Sequence, residues 1–217
     1  MTFVTKIPVA NSTKVVEANI VNCSFREVVL WQRRIHNPHI AGRDRIGANW
    51  HWPSIYWACS IAETALRRQA LIFQIQVEAP SGQGVPVVQA LISFPYAFPP
   101  NTNEDCVFLW FLASAPPRAL ETYGITDRFA VLGPVLDTII HMSVTYGLGG
   151  RIGLHAAKGS TATQSEDLIN KYLNCGLQRK SINKWYFRFP FRRDDGRLFY
   201  LDVAEAADFT KAYDYLR

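Results

Sequence analysis

The stretch that decides the fold opens with CVFLWFLAS, Cys106 to Ser114, a near-continuous apolar run. A strand in the middle of a sheet is buried on both faces and so loses the alternation of an edge or surface strand. After a loop comes RFAVLGPVLDTII, Arg128 to Ile140, in which Leu132, Val135, Leu136, Ile139 and Ile140 fall on one stripe at helical spacing. The helix is predicted over Val131 to Tyr146, with Gly147 as its C-terminal stop. RIGLHA, Arg151 to Ala156, reads as a short strand. Ser165 to Asn174 reads as a helix, with Ser165 as N-cap, Glu166 and Asp167 in the first turn, and Gly176 past the end.

Upstream, VVEANIV (Val15 to Val21) is rich in β-branched residues and reads as a strand. Phe25 to Ile35 reads as a short helix behind Ser24 as N-cap. Ser54 to Arg68 places Ile55, Ala58, Ile61, Ala62, Ala65 and Leu66 on one helical face. Leu71 to Ala79 and Val85 to Phe94 form a hairpin about Gly82 and Gly84. Phe94 to Pro100, FPYAFPP, reads as a loop because proline removes ladder donors. Downstream, strands are expected around Trp185 to Phe189 and at Arg197 to Val203. The order β-α-α-β-β-β-α-β-α-β-β predicts a mixed, mainly antiparallel sheet with helices on both faces, of α+β type.

The 217 residues are 48 % hydrophobic, enough for a substantial core, and no linker divides them, so residues 1–217 are expected to form one domain. No apolar run reaches the ~18 residues of a membrane span. The N-terminus lacks a signal-peptide core, so the expected location is cytoplasmic and no membrane partner is expected. Cys23, Cys59, Cys106 and Cys175 have no metal-finger spacing, so neither a zinc site nor any other metal is expected. The net charge of +5 suits a phosphate-bearing partner, either a coenzyme or a nucleic acid.

A start of a helix offers unpaired N–H groups and a positive dipole end, and a glycine there lets a pyrophosphate approach. Gly133 supplies that closeness and Arg128 a charge. The segments that follow add to this. Leu112-Ala113-Ser114-Ala115-Pro116 ends the apolar strand, Arg128 to Gly133 forms the loop, GGRIGLHA the next strand, and DLINKYLNCGL the last helix. Together they resemble the coenzyme A half of the GNAT superfamily of N-acyltransferases. There a central strand leads to an R/Q-x-x-G-x-G/A loop, and a helix ends in Tyr-x-x-x-Gly-hydrophobic, matched here by Tyr172, Gly176 and Leu177.

The resemblance implies acetyl-coenzyme A, or another acyl-coenzyme A, as co-substrate, and acyl transfer to an amine. The backbone of Leu112 and Ser114 would bind the pantetheine arm. The N–H groups of Arg128, Phe129, Ala130, Val131, Leu132 and Gly133 would cradle the pyrophosphate, and Ser165 would touch the coenzyme. Tyr172 would protonate the departing thiolate, since a phenol (pKa roughly 10) is a weaker acid than a thiol. The coenzyme side would lie mainly in 106–177, the acceptor side in 1–70 and 178–217. The acceptor would be a small-molecule or peptide amine, with a tRNA-linked amine as the minor alternative, and a homodimer is compatible with the sequence.

This chain departs from the family pattern at three places. Val131 stands at the first loop glycine, Glu121 to Asp127 lengthens the loop, and Val107 to Phe111 holds no carboxylate to deprotonate the amine. Glu63, Glu104 and Asp105 are the carboxylates considered for that task. Two other readings stand beside acetyl transfer: a GNAT-like interaction module without catalysis, and a longer acyl donor. Trp50, Trp52, Trp57, Trp185 and Tyr186 are candidates to line the acceptor pocket.

Overall fold

The computed structural model describes residues 3–66, 68–180, 187–188, 192–193 and 195–217. In chain order the elements are β1 (Lys6–Pro8), β2 (Val15–Asn22), α1 (Phe25–Trp31), α2 (Asn37–His39), α3 (Trp52–Leu66), β3 (Gln69–Glu78), β4 (Gly84–Ala97) and β5 (Asp105–Ser114). There follow α4 (Pro117–Glu121), α5 (Leu132–Thr145), β6 (Ile152–His155), α6 (Ala162–Asn174), β7 (Gln178–Arg179), β8 (Phe187–Arg188), β9 (Arg192–Arg193), β10 (Leu198–Leu201) and α7 (Val203–Lys211).

Among the described residues, eight strands form one sheet in the order β1-β2-β3-β4-β5-β6-β10-β7, and β8 pairs with β9. All neighbours are antiparallel except β5 and β6, which run parallel over Val107–Leu109 and Ile152–Leu154. The apolar run lies in mid-sheet, with Cys106 to Trp110 all buried. It is covered by α5 and by the tryptophans at the start of α3. Phe111 meets Trp50 and Trp52 at ring distances of 5.0 and 6.2 Å. On α5 the residues Val135, Leu136 and Ile139 are fully buried, as their periodicity requires.

Several expectations need correction. The strand β4 runs on to Ala97, through the segment read as a loop, because a register shift between Ser93 and Tyr96 accommodates Pro95. The α6 helix starts earlier than expected: its N-cap is Thr161, whose Oγ accepts from the Gln164 N–H at 3.2 Å, and Ser165 lies inside the first turn. Ile61 is 68 % exposed, and α3 turns Trp52, Ile55, Tyr56 and Cys59 inward instead. The short β1 and the C-terminal α7 were not expected. The latter is opened by a capping box in which Asp202 accepts from Glu205 N–H (2.9 Å) and Glu205 from Asp202 N–H (3.0 Å), a cap of about 1 kcal/mol. Most of the strand expected at 185–189 lies outside the described residues, as do Trp185 and Tyr186. No described helix is long and apolar enough to cross a membrane.

Candidate functional site

The site is built by a fault in the sheet. Leu91 faces Phe111 and Ile92 faces Leu109, so Trp110 is the extra residue of a bulge in β5. Such a bulge bends its strand and raises its twist. The parallel pairing with β6 stops at Leu109 and Leu154, next to the bulge. Beyond it β5 and β6 diverge, and a cavity of about 390 Å³ opens between them.

The register decides what points into that gap. The Ala115 N–H donates to the Val87 carbonyl at 2.8 Å, so this pair is hydrogen-bonded across β4 and β5. Bonded and non-bonded pairs alternate along an antiparallel ladder. The pairs Val88–Ser114 and Ala90–Leu112 are therefore non-bonded, and the backbone groups of Ser114 and Leu112 turn away from β4 toward the gap.

Leu112, Ser114, Val131, Leu132 and Tyr172 all line the cavity. Val131 and Leu132 stand at the start of α5, whose N-terminal end faces the space. Tyr172 comes from α6 and is 6 % exposed, its ring 5.4 Å from that of Phe199. Burial, and then the neighbouring Cys175, push its phenol well above the ordinary range.

The rest of the predicted loop lies outside the lining. Its backbone pairs with the N-terminal strand: the Ala10 N–H donates to Arg128 O (2.6 Å) and the Ala130 N–H to Pro8 O (3.0 Å). The N–H of Ala130 is therefore not available to a phosphate in this arrangement. Phe129 forms an isolated bridge with Val9, and the Arg128 side chain is exposed. Gly133 is buried, and the space a Cβ would need is filled by the phenol of Tyr213. Ser165 holds the turn before α6, accepting from the Gly159 N–H (2.9 Å) and donating to Thr161 O (3.1 Å).

A second chamber of about 420 Å³ shares Trp50, Trp110 and His155 with the first, and adds Lys158, Asp195 and Arg197. Trp110 spans both and is anchored by its indole N–H to Ser93 Oγ at 2.7 Å. His155, at the end of β6, is buried with Nε2 2.9 Å from Asp195 Oδ1, and Arg197 Nε donates to Asp195 Oδ2 at 2.7 Å. Burial opposes ionisation of Asp195, but the bonds from Arg197 and His155 outweigh it and hold the carboxyl below its usual range.

Of the tryptophans expected here, Trp50 lines both chambers, Trp52 is fully buried in the core, and Trp57 is 55 % exposed on α3. Glu104 and Asp105 stand at the opposite end of β5 from the gap. The side chain of Glu63 lies outside the described set. Sequence reasoning missed Trp110, Arg45, Gln164 and Lys171 as lining residues, and missed the pairing of His155 with Asp195. Only His155 left a usable signal, as a histidine ending a buried strand.

A mainly antiparallel sheet whose one parallel pair opens behind a bulge, with a helix start facing the opening, is the fold of the GNAT acyltransferases. Two solved structures share it across nearly their whole length. The spermidine N-acetyltransferase of Vibrio cholerae, in complex with CoA and spermine, aligns over 88 % of this chain and 98 % of its own, with 11 % identity and a TM-score of 0.50. FdhC, a nucleotide-linked sugar GNAT in its apo form, aligns over 98 % and 97 %, with 12 % identity and a TM-score of 0.51. No family model and no curated protein matches the chain in sequence.

Proposed function

We propose that this protein is an acyl-coenzyme A-dependent N-acyltransferase, with acetyl-coenzyme A as its donor. The observation that carries this reading is the gap between β5 and β6, into which the backbone edge of Leu112 and Ser114 points. A pantetheine arm is a chain of amides, and it can complete the sheet edge there as a short extra strand. The spermidine enzyme with this fold was solved with CoA, which agrees with that use.

The bulge at Trp110 lies at the point where the two chambers meet. A thioester carbonyl there would accept from strand N–H groups and become more electrophilic. The amine would arrive through the second chamber, past Trp50 and Trp110. Its nitrogen bonds to the carbonyl carbon, the carbon–sulfur bond breaks, and the sulfur takes a proton from Tyr172. The ammonium formed on attack loses its proton to solvent, and solvent returns one to the Tyr172 phenolate. Burial holds the Tyr172 phenol protonated, and also makes it a weaker acid, so it gives up its proton only as charge develops on the sulfur. No described residue hydrogen-bonds its hydroxyl, so the proton is not committed elsewhere. The enzyme's main work is then positioning.

One set of observations favours the interaction module instead. The Ala130 N–H is bonded to Pro8, and Tyr213 closes the Gly133 face, so two members of the expected phosphate cradle are occupied. Calorimetric titration with acetyl-coenzyme A separates the readings. Micromolar binding, followed by thiol release with an amine from a panel, supports the enzyme. Absence of binding at millimolar coenzyme, from folded protein, overturns it.

A further inference from the structure

Residues 40–50 join α2 to α3 and cross the mouth of the cleft. Two adjacent side chains tie this segment to opposite walls. The Asp44 carboxylate accepts from Gln164 Nε2 (3.0 Å) and from Ser160 Oγ, on the α6 side. Arg45 reaches the other way, and its Nη2 donates to Ser114 O (2.7 Å) and Ser114 Oγ (2.9 Å), at the end of β5. The segment's foot is fixed from beneath. His36 Nε2 donates to Gly47 O (3.0 Å), which leaves Nδ1 to accept from Gln32 Nε2 (3.1 Å). Gln32 Oε1 in turn accepts from the Trp52 N–H (2.8 Å).

Arg45 is half-buried in the cavity wall, and no described carboxylate lies within ion-pair distance of it. Both of its partners are neutral. A guanidinium partly removed from water without an anion beside it is poorly compensated, and its fork of donors suits phosphate oxygens. Burial draws its pKa below the usual range, in keeping with that lack of compensation. The carbonyl it holds, Ser114 O, is one of the two that the register turns into the gap. An incoming amide N–H needs that carbonyl, and on taking it would release Arg45 at the end of the cleft where β5 stops.

We propose that Arg45 is a binding residue for a phosphate of the donor's coenzyme arm, and that it exchanges its two Ser114 bonds for that anion as the donor enters. The segment 40–50 then closes on the bound donor rather than on the empty strand edge. This rests on the reading of the gap as the coenzyme site. It also supplies, from the far wall, charge that the loop at Arg128–Gly133 is poorly placed to provide.

The test is titration of wild type, Arg45→Gln and Arg45→Lys with two probes, coenzyme A and phosphate-free pantetheine, following intrinsic tryptophan fluorescence and heat. Each variant is first shown to be folded by its unfolding midpoint. Arg45→Gln is expected to bind coenzyme A at least about tenfold more weakly, the scale of one charge-assisted hydrogen bond, while pantetheine binds as before or more tightly. Arg45→Lys should recover part of the loss, because it keeps the charge without the fork. Equal coenzyme A affinity in Arg45→Gln, or an equal loss for both probes, overturns the role of Arg45 while leaving the coenzyme site standing. If wild type binds neither probe, the coenzyme reading fails and the assignment of Arg45 fails with it. Should Arg45→Gln not fold, Arg45→Lys alone decides: a selective loss for coenzyme A supports the role, and unchanged selectivity overturns it.

Discussion

The phenol of Tyr213 occupies the space that a side chain at Gly133 would need. The residue read from sequence as room for a phosphate is in fact room for the C-terminal segment, which packs against α5. Gly133→Ala should therefore act on stability. Overpacking of this kind costs about 1–3 kcal/mol, and the unfolding midpoint in denaturant should fall accordingly. Adding Tyr213→Ala to Gly133→Ala should restore part of the loss relative to Tyr213→Ala alone. A Gly133→Ala protein of unchanged stability but weakened coenzyme affinity would return Gly133 to the binding site.

Tyr172 is the acid on the proposed pathway, and its replacement isolates that role. Tyr172→Phe keeps the ring packed on Phe199 and removes only the hydroxyl. Turnover should drop by about 10²-fold, the lower range for a positioned acid, with coenzyme affinity nearly unchanged. Single-turnover thiol release measures the first and calorimetry the second. An unchanged rate removes Tyr172 from the chemistry.

Asp137, in the middle of α5, makes stability depend on pH. Its side chain is fully buried, and burial lifts its carboxyl to about 6 although Arg217 Nη2 lies 2.6 Å from Oδ1. The folded state thus holds this proton more tightly than the unfolded one. Its contribution is complete below the unfolded value of about 3.9 and is lost as pH rises through the folded value. His141 beside it is shifted down, chiefly by burial, and acts in the opposite sense as pH falls. The two are separated by difference: the stability of wild type minus that of Asp137→Asn should decline between about pH 4 and pH 7. A flat difference curve would show that the carboxyl titrates as it does unfolded.

Gln32 joins three groups that the chain brings together only in the folded state. It accepts from Trp52 N–H, and its Nε2 donates to Asn37 Oδ1 (2.6 Å) and contacts His36 Nδ1. Gln32→Leu keeps similar volume and strands these partners. Asn37 is exposed and can turn to water, but the Trp52 N–H and His36 Nδ1 are buried, and each buried orphan costs about 1–3 kcal/mol, so a fall in the unfolding midpoint is expected. With the foot of segment 40–50 loosened, its amide protons should also exchange faster. Unaltered exchange in that segment would mean that Asp44 and Arg45 hold it without help from below.

The sequence by itself determined the central elements, and for local reasons. Cys106–Ser114 is apolar because both faces are covered, and α5 has its stripe because one face meets the sheet; neither pattern depends on knowing the neighbour. The order of motifs also picked out Leu112, Ser114 and Tyr172, which the structure brings to one cavity. What only the tertiary structure decided lies between segments remote in the chain. Trp110 is a bulge because β4 and β5 differ by one residue in register, which neither strand reveals alone. Gly133 is closed because Tyr213 returns to it from 80 residues away. The loop Arg128–Ala130 is paired because β1 adds to the sheet's edge and extends to it. Arg45 meets Ser114, and His155 meets Asp195, across gaps that side chains alone bridge. Hydrophobic period encodes which face is buried, but it carries no record of which partner buries it or of what stands at the point of contact.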